Sequence, residues 1–310
     1  MALCIRTPRK LSAWLAAAWL LAGCTTQWPG PPAGQTTVAL TFDDGPLAAD
    51  VLPEDRSAAG EALLDPLLQI LDVLERRGLK AVFYVVAPGD DRLTTTWTEG
   101  LLAIHEAGGT LGYHAFDHDA LFWFDPLLNR PAARAQMLAD YEQLQAFADQ
   151  TLAPLGMAQE ELFSPVFRMP YGDGLNGWLD GPVIARQLGW TCHGYAIDSM
   201  DWTVNSDVPR SIADRLLAPT GGDPVALVNE RLRRGARAVA GHENVDVMMH
   251  VNSLTATHLD EWIDTLTAAF QAEGVQSVDF SVSPDYLSES EPAADLSALL
   301  IFLFGDGSGL

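Results

Sequence analysis

Two adjacent carboxylates, Asp43 and Asp44, close an apolar, β-prone run in TVALTFDDGPL. Two imidazoles, His114 and His118, stand four apart in HAFDH, and His250 closes VDVMMH. Arg168 lies in FRMPYG, and Asp198 and Asp201 bracket the serine and methionine of AIDSMDW. Two imidazoles and one carboxylate form a catalytic donor set for a divalent cation and leave a coordination position open for water. That chemistry takes Asp44, His114 and His118 as ligands and leaves Asp43 free as a base. On one continuous strand the two imidazoles would sit about 13 Å apart. That is too far for one ion with bonds of about 2 Å, so the chain must turn at Phe116-Asp117. HAFDH has no Glu after its first His and is therefore not the zinc-protease pattern. Arg168 at a strand end can pair with Asp43 and keep it ionised. A carboxylate near His250 would fix its tautomer and favour its protonated form. Read alone, Asp-Asp-Gly-Pro is also an ordinary turn, and His250 also a core histidine.

These residues need elements that bring them together. Strand-like runs occur at 37–43, 80–87, 110–115, 165–170, 190–198, 245–251 and 276–282, separated by segments with apolar residues at helical spacing. EALLDPLLQILDVLERRG stops at Gly78, and PAARAQMLADYEQLQAFADQTL opens on Pro131. Strands alternating with helices predict βαβ units and a mainly parallel sheet. Seven units in this length fit a (β/α) barrel, whose functional residues belong at the carboxyl ends of its strands. Asp43-Asp44, His114, Arg168, Asp198 and His250 all fall at such ends. Strand alternation aims Asp43 and Asp44 in opposite directions, and Gly45 is expected to let the backbone twist so that both reach one site.

The chain has 310 residues and a formal net charge of −23. Lys10 and Lys80 are its only lysines, so it lacks the basic patches that phosphate backbones require, and nucleic acid is excluded as a partner. Residues 1–23 read as a signal peptide: a basic start, a short apolar stretch and small residues at the cut. LAGC is similar to a bacterial lipobox, which would make Cys24 a lipidated first residue and the membrane a partner through a lipid anchor, in the cell envelope. Residues 24–36 then read as a tether, 37–284 as the catalytic barrel and 285–310 as a tail without an assigned role. With Cys4 removed and Cys24 modified, Cys192 has no disulfide partner and reads as a buried structural thiol. GDGLNG at 172–177 matches a dinucleotide fingerprint. It follows Arg-Met-Pro-Tyr rather than plain apolar residues, and export would remove the chain from nicotinamide pools, so no nucleotide cofactor is expected. No G-x-S-x-G is present for a serine hydrolase.

Taken in order, TFDDG, HAFDH, RMPY, DSMDW and MMH resemble the five motifs of the polysaccharide deacetylases of carbohydrate esterase family 4, over residues 41 to 250. The resemblance implies a distorted (β/α)7-8 barrel and metal-dependent hydrolysis of N-acetyl groups on a chitooligosaccharide, peptidoglycan or similar glycan. It implies zinc on Asp44, His114 and His118, with Asp43 as general base oriented by Arg168. The N–H of Tyr171 would hold the oxyanion. His250 would be the general acid with Asp198 behind it, and Trp202 and Met248 would wall the pocket for the acetyl methyl. Met248 stands where the family has Leu, a swap of similar volume. The insertion LAADVLPEDRSAAG and the aromatic LFWFDPLL are expected to overhang the site. An amidase acting on a small non-sugar amide, or a non-catalytic glycan-binding lipoprotein, would use the same residues.

Overall fold

The computed structural model describes residues 34–118, 130–170, 174–206 and 208–282. Cys24 and the whole signal segment, the aromatic stretch at 121–128, Tyr171 and the tail from 285 lie outside the described residues. Among the described residues, eight strands form one parallel sheet: β1 (Gln35–Gly45), β2 (Ala81–Val86), β3 (Thr110–Ala115), β4 (Phe163–Phe167), β5 (Thr191–Cys192), β6 (Ile197–Asp198), β7 (Asn244–His250) and β8 (Ser277–Phe280). Around it lie α1 (Pro53–Ala59), α2 (Asp65–Arg77), α3 (Thr94–Glu106), α4 (Arg130–Leu152), α5 (Gln159–Leu162), α6 (Gly174–Leu188), α7 (Arg210–Leu217), α8 (Pro224–Val239) and α9 (Ser253–Ala272). No described helix is long and apolar enough to cross a membrane.

Local chemistry sets the helix ends. Gly78 stops α2 in a left-handed conformation, φ 68°. Asp223 caps α8 by accepting from the N–H groups of Val225 and Ala226, with Pro224 in the first turn. Asn252 caps α9 through the Thr255 N–H.

The strand order is β5-β4-β3-β2-β1-β7-β6. β8 pairs with residues 35–38 of β1, on the edge that β2 occupies further along. β5 and β6 are only four residues apart in sequence, yet they lie at opposite ends of this order. The sheet therefore curls until its two edges face each other, which is the distorted (β/α) barrel expected from the sequence. The run at 190–198 is not one strand. It breaks into β5 and β6, and residues 193–196 cross the gap between the sheet edges, so His193 sits in this crossing and not in mid-strand.

Alternation divides the strands cleanly. Val38, Leu40, Phe42, Phe83, Val85, Leu111, Tyr113, Phe167, Val247 and Met249 face outward into the apolar layer beneath the helices. Tyr113 stacks there on Phe163 and Trp190 and takes no part in the site. Val82, Tyr84 and Val166 form a separate cluster inside the barrel, in phase with Thr41, Asp43, His114, Arg168, Asp246, Met248 and His250. Gly112 belongs to the same inward set. A Cβ there would lie 2.9 Å from Tyr84 Cδ1 and Cε1 and from Val166 Cγ2. The missing side chain makes room for the Tyr84 ring, which lies 4.4 Å beneath the Arg168 guanidinium. Gly112→Ala should therefore destabilise the protein by about 1–3 kcal/mol through overpacking. Denaturant unfolding should show the midpoint fall with an unchanged slope.

Candidate active site

β1 does not end as a regular strand. Its register against β7 is unbroken to Asp43, which pairs with His250. Its register against β2 slips between Phe42 and Gly45, admitting one extra residue. Asp44 occupies that bulge with φ 64°, the left-handed region. A bulge re-aims a side chain, and here it puts two consecutive carboxylates on one side. The twist expected at Gly45 is thus made by Asp44 itself. Gly45 serves instead as a close approach, since a Cβ there would stand 2.9 Å from Val251 Cγ2. β3 also slips against β2 by one residue, at His114.

Beyond β3 the chain turns at Phe116-Asp117, as the histidine spacing requires. Asp140 of α4, a buried carboxylate, accepts both N–H groups of that turn, from Phe116 at 2.7 Å and Asp117 at 2.9 Å. The turn brings the two imidazole centroids to 5.2 Å. His114 Nε2 lies 3.4 Å and His118 Nε2 3.2 Å from Asp44 Oδ1. One donor atom from each of Asp44, His114 and His118 lies within 4.8 Å of the other two.

The donors suit a metal. His114 Nδ1 donates to the Arg168 carbonyl at 2.9 Å, which leaves the Nε2 lone pair facing Asp44. Asp44 Oδ1 is buried and has no hydrogen-bond partner, which is costly unless a cation takes that place. Burial alone would raise the Asp44 pKa. His118, His114 and His250 outweigh it and hold the carboxyl well below the usual carboxylate range.

Asp43 is held apart from this set. Arg168, which is fully buried, donates from Nη1 to Asp43 Oδ1 at 2.8 Å and to Thr41 Oγ1 at 2.7 Å. From Nη2 it donates to Asp246 Oδ2 at 2.8 Å and to the Gly194 carbonyl at 2.7 Å. The other oxygen of Asp43, Oδ2, is 3.9 Å from His114 Nε2, beside the candidate donor set and outside hydrogen-bond range.

On the opposite side His250 Nε2 stands 4.0 Å from Asp44 Oδ2. The carboxylate behind His250 is Asp201, not Asp198. Asp201 takes the ring Nδ1 at 2.8 Å and the His250 N–H at 2.7 Å, and it also accepts from Ser199 Oγ and Thr255 Oγ1. Burial would depress the His250 pKa. Asp201, Asp44 and Asp43 overcome that and push it up to about 10. Asp198 instead accepts from the Met200 N–H at 2.8 Å and from Trp202 Nε1 at 3.2 Å, which pins the indole, and burial raises its pKa. The exchange has a backbone cause. Met200 is left-handed, φ 62°, and opens the 3-10 turn Asp201–Val204, which folds Asp201 back onto β7.

The structure thus gathers Asp43, Asp44, His114, His118, Arg168 and His250 in one place. Met248 points inward one alternation below His250 and is buried. Trp202 is partly exposed and packs on Met200, Leu216 and Leu227. Ala48 and Ala49, at the start of the long insertion, bond to Leu63 and Val251 carbonyls, with Ala49 against the end of β7. Sequence reasoning missed Asp140, Asn205 and Asp246. Asp246 carried a signal, because it is in phase with Met248 and His250. The other two carried none.

A family model described as polysaccharide deacetylase matches residues 30–192, just over half of the chain, and stops before DSMDW and MMH. No curated protein matches the sequence. Among solved structures, the chain is similar to a family 4 carbohydrate esterase from Streptomyces lividans in complex with acetate, at 18% identity and TM-score 0.48, covering 81% of this chain and 95% of that one. It is similar to the catalytic domain of a peptidoglycan N-acetylglucosamine deacetylase from Eubacterium rectale, at 19% identity and TM-score 0.47, covering 85% and 96%. It is also similar to a family 4 pseudoenzyme from Bacillus anthracis, at 16% identity and TM-score 0.49, covering 84% and 68%. On the family match, the chain belongs to the polysaccharide deacetylase family.

Proposed function

We propose that the protein hydrolyses N-acetyl groups on an N-acetylated glycan such as a chitooligosaccharide or peptidoglycan, releasing acetate. One observation carries the reading. An unpartnered, buried Asp44 oxygen faces two imidazole nitrogens, with an arginine-held carboxylate on one side and an aspartate-held imidazole on the other. Asp44, His114 and His118 would hold a divalent cation, and the two-nitrogen, one-oxygen donor set favours zinc. Such an ion polarises a carbonyl oxygen and lowers the pKa of water to about 7. Asp43 Oδ2 takes the proton of the attacking water while Arg168 fixes the other oxygen. His250 Nε2 donates its proton to the departing amine nitrogen, and Asp201 stabilises the imidazolium beforehand. The family resemblance assigns the oxyanion to the Tyr171 N–H and the acetyl methyl to a pocket walled by Trp202 and Met248. Residues 1–24, read as an export and lipidation signal, would place this chemistry in the cell envelope.

The direct test incubates zinc-loaded protein with chitooligosaccharides, peptidoglycan fragments and small acetamides, reading acetate and the mass lost per acetyl. Deacetylated glycan is expected. Turnover of small amides alone would make the protein a general amidase, and glycan binding without acetate release would make it a non-catalytic binder.

Two variants separate the roles. Asp43→Asn should retain metal and lose about 10²–10⁴-fold in kcat, the range for a general base, whereas His114→Ala should lose both metal and turnover. Metal analysis beside steady-state kinetics distinguishes the two. A further variant tests the proton donor. The acid form of His250 persists until the pH rises through a value of about 10, so loss of its proton should set the alkaline limb of the activity profile. Asp201 is the strongest influence raising that value, so removing its charge lowers it. Asp201→Asn should therefore move the alkaline limb of the kcat/KM profile to lower pH, and an unmoved limb would remove Asp201 from this role.

A further inference from the structure

A second buried network touches the candidate metal site, and no step above uses it. Asn205 and Asn252 are both buried, at 5% and 0% exposure. Their amides form a chain in which each link has a fixed direction. The Thr255 N–H, in the first turn of α9, can only donate, and it donates to Asn252 Oδ1 at 2.9 Å. That makes the other end of Asn252 its NH₂ group, and Nδ2 donates to Asn205 Oδ1 at 3.0 Å. Asn205 must then present its own NH₂, and Nδ2 donates to Asp44 Oδ2 at 3.1 Å. An ionised carboxylate can only accept, so the chain ends there and cannot run backwards. Asp201 holds Asn252 from beside, accepting from the same Nδ2 through its carbonyl at 3.3 Å and its Oδ2 at 3.4 Å.

The consequence falls on Asp44. Its two oxygens are chemically alike, and a free carboxylate could rotate to offer either one, or both. Here Oδ2 is engaged by an amide, and Oδ1 is left bare between His114 and His118. The left-handed backbone of Asp44 aims the side chain toward the site, but it does not choose between the oxygens. We propose that Asn205 is a positioning residue for the metal carboxylate. A one-way hydrogen-bond chain from the N-terminus of α9, through Asn252 and Asn205, holds Asp44 Oδ2 so that Oδ1 alone is presented to the cation. The inference rests on the reading of Asp44, His114 and His118 as ligands. Partners of this kind behind a ligand commonly govern metal affinity by about 10–100-fold.

The test measures metal binding, not turnover. Full-length protein stripped of metal is titrated with zinc against a competing chromophoric chelator. Cobalt(II) is used in parallel, because its visible bands report coordination number and geometry. Asn205→Ala should weaken zinc about 10–100-fold and alter the cobalt bands, while the metal-free protein still unfolds in one cooperative transition. Asn252→Ser supplies a second variant. Serine still caps α9 but is too short to reach Asn205, so a several-fold loss of affinity is expected. Asn205→Ala combined with Asn252→Ser should lose no more than Asn205→Ala alone, because both act through one chain. Wild-type affinity and an unchanged cobalt spectrum in Asn205→Ala would overturn the inference and leave the metal site standing. A wild-type protein that takes up neither zinc nor cobalt would overturn both.

Discussion

A guanidinium sealed inside a barrel must find anions and carbonyls, and the rest of this site is arranged around that demand. Arg168 meets it with Asp43, Asp246, Thr41 and the Gly194 carbonyl. Breaking a buried pair of this kind by deleting one partner commonly costs about 3–5 kcal/mol, because the other charge is left stranded. The four contacts come from β1, β7 and the crossing between β5 and β6, so one side chain ties the two facing sheet edges to the central strands. The same residue acts through its backbone as well. Its carbonyl accepts from His114 Nδ1 and from the Tyr141 hydroxyl, which sets the tautomer of one candidate ligand. The candidate base and one candidate ligand are therefore oriented by opposite ends of a single residue.

That arrangement explains how neighbouring carboxylates take different parts. Asp43 is paired with a permanent cation through one oxygen, and its other oxygen remains beside the candidate metal donors. Asp44, turned round by its left-handed backbone, faces imidazoles that carry no fixed charge. His250 is paired in turn with Asp201. Separating the environments of neighbouring titratable groups is how one site keeps a proton acceptor and a proton donor available together. Here the separation is spatial: Asp43 lies on the Arg168 side of Asp44 and His250 on the Asp201 side.

Much of this was legible in the sequence, for a physical reason. A parallel barrel strand buried on both faces has little use for a titratable residue except at its open end, so Asp43, Asp44, His114, Arg168 and His250 stood out against apolar runs. What the sequence hid depends on single backbone angles. The left-handed Met200 and the short 3-10 turn after it decide that Asp201, not Asp198, reaches His250, and no spacing rule distinguishes two aspartates three residues apart. The run at 190–198 reads as one strand because its residues are apolar and β-prone, yet Arg168 needs a carbonyl at Gly194 and the chain must cross between sheet edges there. Asn205 and Asp140 leave no pattern, because a residue that holds a neighbour through one or two hydrogen bonds has no period.

The central claim is that Asp44, His114 and His118 share one cation while Asp43 stays unbound beside it. The most direct measurement is a crystal structure of the zinc-loaded protein with anomalous data collected at the metal edge. The account predicts a single peak bonded to Asp44 Oδ1, His114 Nε2 and His118 Nε2 at about 2.0–2.2 Å, with Asp43 still paired to Arg168. A peak ligated by Asp43, or no peak among these residues at full zinc occupancy, would contradict it.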